Sequence, residues 1–345
     1  MSVADVVPVI DLSGWVDGDA ATRAAIGRQV DEACRTVGFM QIVGHGIPQD
    51  AIDGLTAALD EFFALSIEDK ERSCAPRPSI NRGYTAPRSE RLSYSLGVAS
   101  PDDLFEAFNV GITAADFPGL TLDDEVYAAN IWPDLAPSFQ PGVWQWFEQA
   151  AAMARTMESV FATALGLPDG YFADFTDHSI DVLRVNHYLV PDGITLEPRQ
   201  LGMGAHTDYG IVTILWADAV PGLEILRPDG TWLPVVPAPG ALLINLGDLL
   251  ARWTNDRWLS TMHRVVPPRD EAGKLMRRRS AAFFHDGNAD ALIATLQPCL
   301  DADGTSSYEP VTVAEHLAEK LGGSRGLELN ENATREAARV EAARP

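Results

Sequence analysis

Two short stretches carry residue types that can hold a redox-active metal: GAHTDYG, with His206 and Asp208, and STMHRVV, with His263. Two imidazoles and one carboxylate make a facial set of three ligands. Such a set holds Fe(II) on one side and leaves the opposite coordination positions open for oxygen and a co-substrate. In an extended segment residues i and i+2 point the same way, so His206 and Asp208 can face one ion. His263 lies 55 residues beyond Asp208 and opens another β-rich run, a separation closed by any fold that lays distant strands side by side. An H-x-D triplet often arises by chance, and a single histidine before a strand is usually structural. Weight comes from the order of the whole segment: His-Thr-Asp, a series of strand-like runs, His263, then Arg278 and Ser280. The same donors with an open position also suit Zn(II), which keeps a zinc hydrolase in view, although no HExxH helix accompanies them. A non-catalytic binding module is a third reading, and an intact ligand set argues against it.

Such ligands need strands to carry them. From Asp181 onward short β-rich runs alternate with turns, and strands are predicted at 182–189, 202–206, 211–216, 223–226, 232–236, 241–245, 262–266 and 279–285. Pro-Asp-Gly marks turns at 191–193 and 228–230. Strands this short and this closely spaced predict a mainly β fold with flanking helices, a jelly roll or related sandwich. Upstream, 7–12 reads as a strand and 20–37 as a helix with Ile26, Val30, Ala33 and Val37 on one face. A strand is predicted at 39–43, a helix at 49–65 with Ile52, Leu55, Leu59 and Phe62 buried, and a short helix capped by Ser66. Residues 74–105 read as a long loop over a functional region, and 139–165 as a long helix ending before Gly166. The chain thus divides into an N-terminal region, 1–175, packing on the barrel as part of the same unit, a jelly-roll core, 176–322, and a tail, 323–345, read as a surface helix or partly disordered.

Composition narrows the partners. Lys and Arg number 26 against 49 Asp and Glu, a net charge of −23 over 345 residues. That argues against nucleic acid or an anionic membrane, both of which need a basic face, and leaves a small-molecule substrate. The three cysteines, Cys34, Cys74 and Cys299, are widely spaced and form no CxxC pair. They indicate neither a disulfide framework nor a thiolate zinc site and fit a reduced cytoplasm. The N-terminus lacks the basic start and apolar run of a signal peptide, and no apolar stretch is long enough to span a bilayer. The sequence specifies no oligomeric state.

The stretches VPVIDLSG, GFMQIVGHGIP, NRGY and DLFEAFNVG, followed by GAHTDYG, GLEILRPDGTWLPVVPAPGALLINLGDLLARWTND, STMHRVV and RRSAAFF, together resemble the isopenicillin N synthase-like family of Fe(II)- and 2-oxoglutarate-dependent dioxygenases. The resemblance covers residues 7–320. It implies a distorted double-stranded β-helix, a jelly-roll core wrapped by helices. It implies Fe(II), 2-oxoglutarate and O2 as cofactor and co-substrates, with His206, Asp208 and His263 as iron ligands. It makes Arg278 and Ser280 the pair gripping the distal carboxylate of 2-oxoglutarate, a task suited to a guanidinium fork plus a hydroxyl. Asn186 and Tyr188, sharing one face of a predicted strand, approach the co-substrate. Arg277 and Arg279 should point away from Arg278. The implied activity is oxidation of a C–H bond of a small molecule, with release of succinate and CO2. Hydroxylation is the default outcome, and desaturation and cyclisation are alternatives. An oxidase on the same fold that does not use 2-oxoglutarate also keeps an Arg-x-Ser pair, and so stands as the rival.

The sequence departs from the pattern twice. Leu189-Val190-Pro191 stands where many relatives pass directly from Tyr to Pro, and the long interval between His263 and Arg278 predicts an extended hairpin, PPRDEAGKLM. For the substrate, the candidates are Arg82 and Tyr84 in the 74–105 loop and the apolar Phe108 and Phe284. An Arg from the 82–91 loop would favour an acidic substrate. His45 reads as a turn histidine and His285 as structural, His187 points opposite to Asn186 and Tyr188, and Arg184 reads as a brace.

Overall fold

The computed structural model describes residues 6–189 and 196–324, together with Asn330 and Ala338. The turn expected at 191–193, the Val190-Pro191 part of the departure and the tail beyond Ser324, apart from those two residues, lie outside the described residues.

In chain order the elements are β1 (Val9–Asp11), α1 (Ala20–Thr36), β2 (Phe39–Val43), α2 (Gln49–Phe63), α3 (Ile67–Glu71), β3 (Gly83–Thr85), a 3-10 turn at Leu92–Leu96, and β4 (Glu106–Gly111). Next come α4 (Phe139–Leu165), α5 (Ala173–Thr176), β5 (Val182–Tyr188), β6 (Met203–His206), β7 (Val212–Ala217), β8 (Leu223–Leu226), β9 (Trp232–Pro234) and β10 (Leu242–Leu246). The chain continues through α6 (Asp248–Trp253), β11 (His263–Val265), β12 (Arg278–His285), β13 (Leu292–Ile293), β14 (Val311–Thr312) and α7 (Val313–Ser324). No helix among the described residues is long and apolar enough to cross a membrane.

Twelve of the strands build two facing sheets, and β13 and β14 pair separately. The larger runs β1-β2-β10-β7-β12-β5-β4-β3 and the smaller β6-β11-β8-β9. From β5 to β12 the chain crosses from one sheet to the other at every connection except β8 to β9. This alternation is the jelly-roll winding, and it brings residues far apart in sequence onto opposite walls of one interior. The N-terminal strands extend the larger sheet at both edges, β2 beside β10 and β4 beside β5. Helices α1, α2 and α4 cover its outer face, burying Phe62, Phe139, Trp146 and Phe161 in the main core.

Local chemistry explains the helix ends. Asp19 accepts from the Thr22 amide to start α1, and Ser66 accepts from the Asp69 amide to start α3. The long helix α4 stops at Gly166, which takes the left-handed conformation (φ 69°) that closes a helix without a side-chain clash. Helices α2 and α4 approach closely: a Cβ on Gly142 would lie 2.5 Å from the Gly54 carbonyl oxygen.

All eight strands predicted after Asp181 are present. The hairpin predicted between His263 and Arg278 is also there: Arg269 bridges Leu275, and the Met276 amide donates to the Pro268 carbonyl at 2.8 Å. The stretch 74–105 is less loop-like than expected, because it contains β3 and the 3-10 turn. A three-residue strand opening on Gly83 has too few residues to show alternation. That glycine is required, since its φ is +80° and a Cβ would lie 2.2 Å from the Ser73 carbonyl oxygen. The six-residue helix α6 falls outside the elements expected from the sequence.

Candidate metal centre and active site

Strand pairing assembles the candidate ligands. Antiparallel β6 and β11 place His263 directly opposite His206. Each imidazole is oriented in the same way, by donating its Nδ1–H to the carbonyl two residues earlier: His206 to Gly204 at 2.8 Å, His263 to Thr261 at 3.1 Å. That fixes the ring orientation and leaves both Nε2 atoms turned away from the backbone, where they can ligate. Both point at Asp208 Oδ1, 3.7 Å from His206 and 3.6 Å from His263, and the three ligand atoms lie within 4.8 Å of one another. The other Asp208 oxygen is held by the larger sheet: it accepts from Thr213 Oγ1 on β7 and from Asn245 Nδ2 on β10 at 2.6 Å. One oxygen is thereby anchored and the other presented.

Electrostatics match a cation site. Burial, then the neighbouring His263, hold His206 well below the usual imidazole range, so it stays in the neutral, metal-binding form. Burial opposes ionisation of Asp208, but the His263 and His206 rings and the Thr213 and Asn245 donors hold its carboxyl below the usual range.

The second group sits on neighbouring strands. Where β12 pairs with β5, Arg278 lies opposite Tyr188 and Ser280 opposite Asn186. All four are buried, and Asn186 Nδ2 donates to Ser280 Oγ at 3.5 Å. Arg278 is 2% exposed, yet its Nε and Nη1 have no partner among the described residues. A buried guanidinium with two orphaned nitrogens is a site for an anion with paired oxygens. The distal carboxylate of 2-oxoglutarate fits it. Arg277 and Arg279 point the other way, each 2.8 Å from Asp60 on α2. Arg184 braces the wall as expected, paired with Glu90 at 2.9 Å and stacked on Phe105.

These groups share one cavity of about 390 Å³, lined among others by His206, Asp208, His263, Arg278, Ser280 and Tyr188. Asn186, Phe284 and Arg82 also line it. The Arg82 guanidinium, however, donates to the carbonyls of Asn81 (2.8 Å), Ile112 (2.6 Å) and Ala128 (3.2 Å), which makes it a loop clamp. Two expected substrate contacts lie elsewhere. Tyr84 and Phe108 face each other across β3 and β4, on the side turned to the helices. Tyr84 donates to Glu106 in a buried cluster with Lys70 and His187, and Phe108 packs edge-on against Phe62 and Phe139. Asn109, one position beyond Phe108, is the residue that alternates into the cavity. His45 and His285 have structural partners: His45 reaches the Gly240 carbonyl, and His285 lies between Glu158 and Asp181. Sequence reading did not single out Thr213, Asn245, Asn109 or Asp286. A polar residue in the middle of the apolar run LLINL was a usable signal for Asn245.

Comparison with known proteins agrees with this geometry. Residues 7–135 match the family described as non-haem dioxygenase in morphine synthesis N-terminal, and residues 179–287 match the 2OG-Fe(II) oxygenase superfamily. The chain is 33% identical over 312 residues to the 2-oxoglutarate-Fe(II) type oxidoreductase hxnY of Emericella nidulans, covering 89% of this chain and 87% of that protein. It is 32% identical over 321 residues to the proline hydroxylase buaE of Petromyces alliaceus, covering 90% and 97%. A Neurospora crassa protein whose crystal structure holds alpha-KG and thymine shares the fold with a TM-score of 0.80 at 28% identity, over 92% of this chain and 96% of that one. These relatives support 2-oxoglutarate use over the oxidase, zinc hydrolase and binding-module readings. The chain belongs to the 2-oxoglutarate–Fe(II) oxygenase family, and it is a dioxygenase that works with Fe(II), 2-oxoglutarate and O2.

Proposed function

We propose that His206, Asp208 and His263 hold the Fe(II), that Arg278 and Ser280 hold the distal carboxylate of 2-oxoglutarate with Asn186 and Tyr188 beside it, and that the enzyme hydroxylates a C–H bond of a small molecule in the rest of the cavity. Arg278 carries this reading: it is a buried guanidinium with unpartnered nitrogens, facing the same cavity as the ligand triad. Bound iron supplies O2 activation, coupled to oxidative decarboxylation of 2-oxoglutarate to succinate and CO2.

The chain's own residues supply position and dryness. Gly204 and Thr261 carbonyls fix the imidazoles, Thr213 and Asn245 fix the carboxylate, and the Tyr188 ring steadies the Arg278 guanidinium. Burial of all three ligands keeps bulk water from the metal face. A small-molecule substrate is supported by the cavity's size, by the net charge of −23, and by the Neurospora crassa relative, whose structure holds thymine. Sharing of one sheet by β1–β4 and the barrel strands supports residues 1–175 and 176–322 as a single working unit. Three free cysteines support a reduced, cytoplasmic setting.

The test is an anaerobic titration of the Fe(II)-loaded protein with 2-oxoglutarate, followed by the visible charge-transfer band of the chelate. A saturable band is expected. Iron binding without a band would overturn the co-substrate assignment.

A further inference from the structure

Alternate residues of β12 and its extension, Arg278, Ser280, Ala282, Phe284 and Asp286, all line the cavity. One strand therefore runs from the co-substrate grip to the opposite end. Val182, which pairs with Phe284, and Ile180, whose amide donates to the Gly287 carbonyl, lie at that end, and Val126, Leu317 and Leu321 are further apolar residues of the lining.

The charged side chains of the lining are nearly all committed. Arg184 pairs with Glu90 at 2.9 Å, Glu125 with Arg77 at 2.6 Å, and Arg82 is spent on three carbonyls. Asp123 accepts from the amides of Glu125 (2.8 Å) and Val126 (3.1 Å). Arg278 and the triad are assigned to 2-oxoglutarate and iron. Of the other charged lining residues described, Asp286 alone has no hydrogen bond or ion pair. Its carboxylate lies against Gly210, where a Cβ would fall 1.8 Å from Oδ1, so the absent side chain is what gives the carboxylate its place. Burial, with the added charge of Asp181, pushes its carboxyl up to about 8. His285 offsets this only in part and is itself held between Asp181 and Glu158. Asn109 adds a buried amide whose Oδ1 is unpartnered in the same cavity.

We propose that Asp286 is the specificity-determining residue of the site, pairing with an ammonium group on a substrate whose apolar body fills the end of the cavity beyond Phe284. This rests on the function proposed above. It reverses the acidic substrate suggested by the arginines of the 82–91 loop: Arg82 is a clamp, Arg91 pairs with Asp102, and Arg88 is exposed. A partly buried carboxylate with no partner of its own, beside the like charge of Asp181, favours a cation over a neutral or anionic group.

The experiment uses the anaerobic Fe(II)·2-oxoglutarate enzyme and calorimetric titration with three matched probes: cyclohexylmethylamine, cyclohexylmethanol and cyclohexanecarboxylate. The amine is expected to bind at least about tenfold tighter than the alcohol, with the carboxylate weakest. In Asp286→Asn and Asp286→Ala the amine preference should vanish, while the chelate band still saturates at the same 2-oxoglutarate concentration. Equal binding of amine and alcohol, no binding of the amine, a preference for the carboxylate, or an amine preference that survives both substitutions overturns the assignment. A chelate band missing from the unsubstituted protein overturns the co-substrate site instead, so the two failures are distinguishable.

Discussion

Arg278 and Tyr188 face each other across the β5–β12 pairing, with the guanidinium carbon 5.1 Å from the ring centroid. The ring steadies the guanidinium without using its N–H groups, which stay available for a ligand. Arg278→Ala should therefore raise the 2-oxoglutarate concentration needed to saturate the chelate band on the order of 100-fold. Arg278→Lys should recover only part of this, since an ammonium lacks the planar fork. An unchanged requirement in Arg278→Ala would move the co-substrate elsewhere.

Thr213 and Asn245 reach Asp208 from the larger sheet, whereas both imidazoles come from the smaller one. Removing either anchor frees a carboxylate that must stay aimed. Asn245→Leu should weaken Fe(II) binding by about 10–100-fold, measured by anaerobic equilibrium dialysis. Asp208→Ala should lose tight iron binding and coupled turnover together, and full activity in that variant would sink the ligand assignment.

His285 is buried between Asp181 at 2.9 Å and Glu158 at 3.0 Å. Burial alone would lower its pKa, but the two carboxylates raise it from 6.5 to about 10. A raised histidine stabilises the fold fully below the unfolded value of 6.5, and that contribution is lost as the pH climbs through about 10. The difference in urea midpoint between the unsubstituted protein and His285→Gln should be largest near pH 6 and shrink toward about pH 10. A difference independent of pH would refute the charged form.

The contact between α2 and α4 is asymmetric. A Cβ on Gly142 meets the Gly54 carbonyl oxygen at 2.5 Å, while a Cβ on Gly54 meets nothing closer than Gln145 Oε1 at 3.5 Å. Gly142→Val should force the helices apart and cost about 1–3 kcal/mol. Gly54→Ala should be neutral or stabilising by up to about 1 kcal/mol through helix propensity. Thermal unfolding of both variants decides it: similar melting temperatures would mean that the close approach is not what limits the packing.

The triad and its strands were legible because motif and period agree there: His206 and Asp208 are two apart on an extended run, and the β-rich segments after Asp181 are punctuated by clear turns. Tyr84 and Phe108 were misplaced because β4 takes its place by pairing with β5 and β3 by pairing with β4, and NRGY and DLFEAFNVG do not encode which face those pairings turn to the helices. Arg82 shows in the sequence as a cation, but the three carbonyls that occupy it come from residues up to 46 positions away. Asp286 was invisible for a related reason. Its isolation depends on Gly210, which is a neighbour only once the sheet has formed.

The layout of β12 has an evolutionary consequence. It is paired through the main chain with β5 over 278–284 and with β7 over 280–285, and these bonds use backbone groups and not the side chains of 284 or of 286, which follows the strand. Mutation can rewrite that end while Arg278 and Ser280 keep their register. On the proposed roles of Arg278 and Ser280, such a lineage can diverge in what it oxidises and still inherit its oxidant chemistry, with the boundary between the fixed and the variable parts falling within a single eight-residue strand.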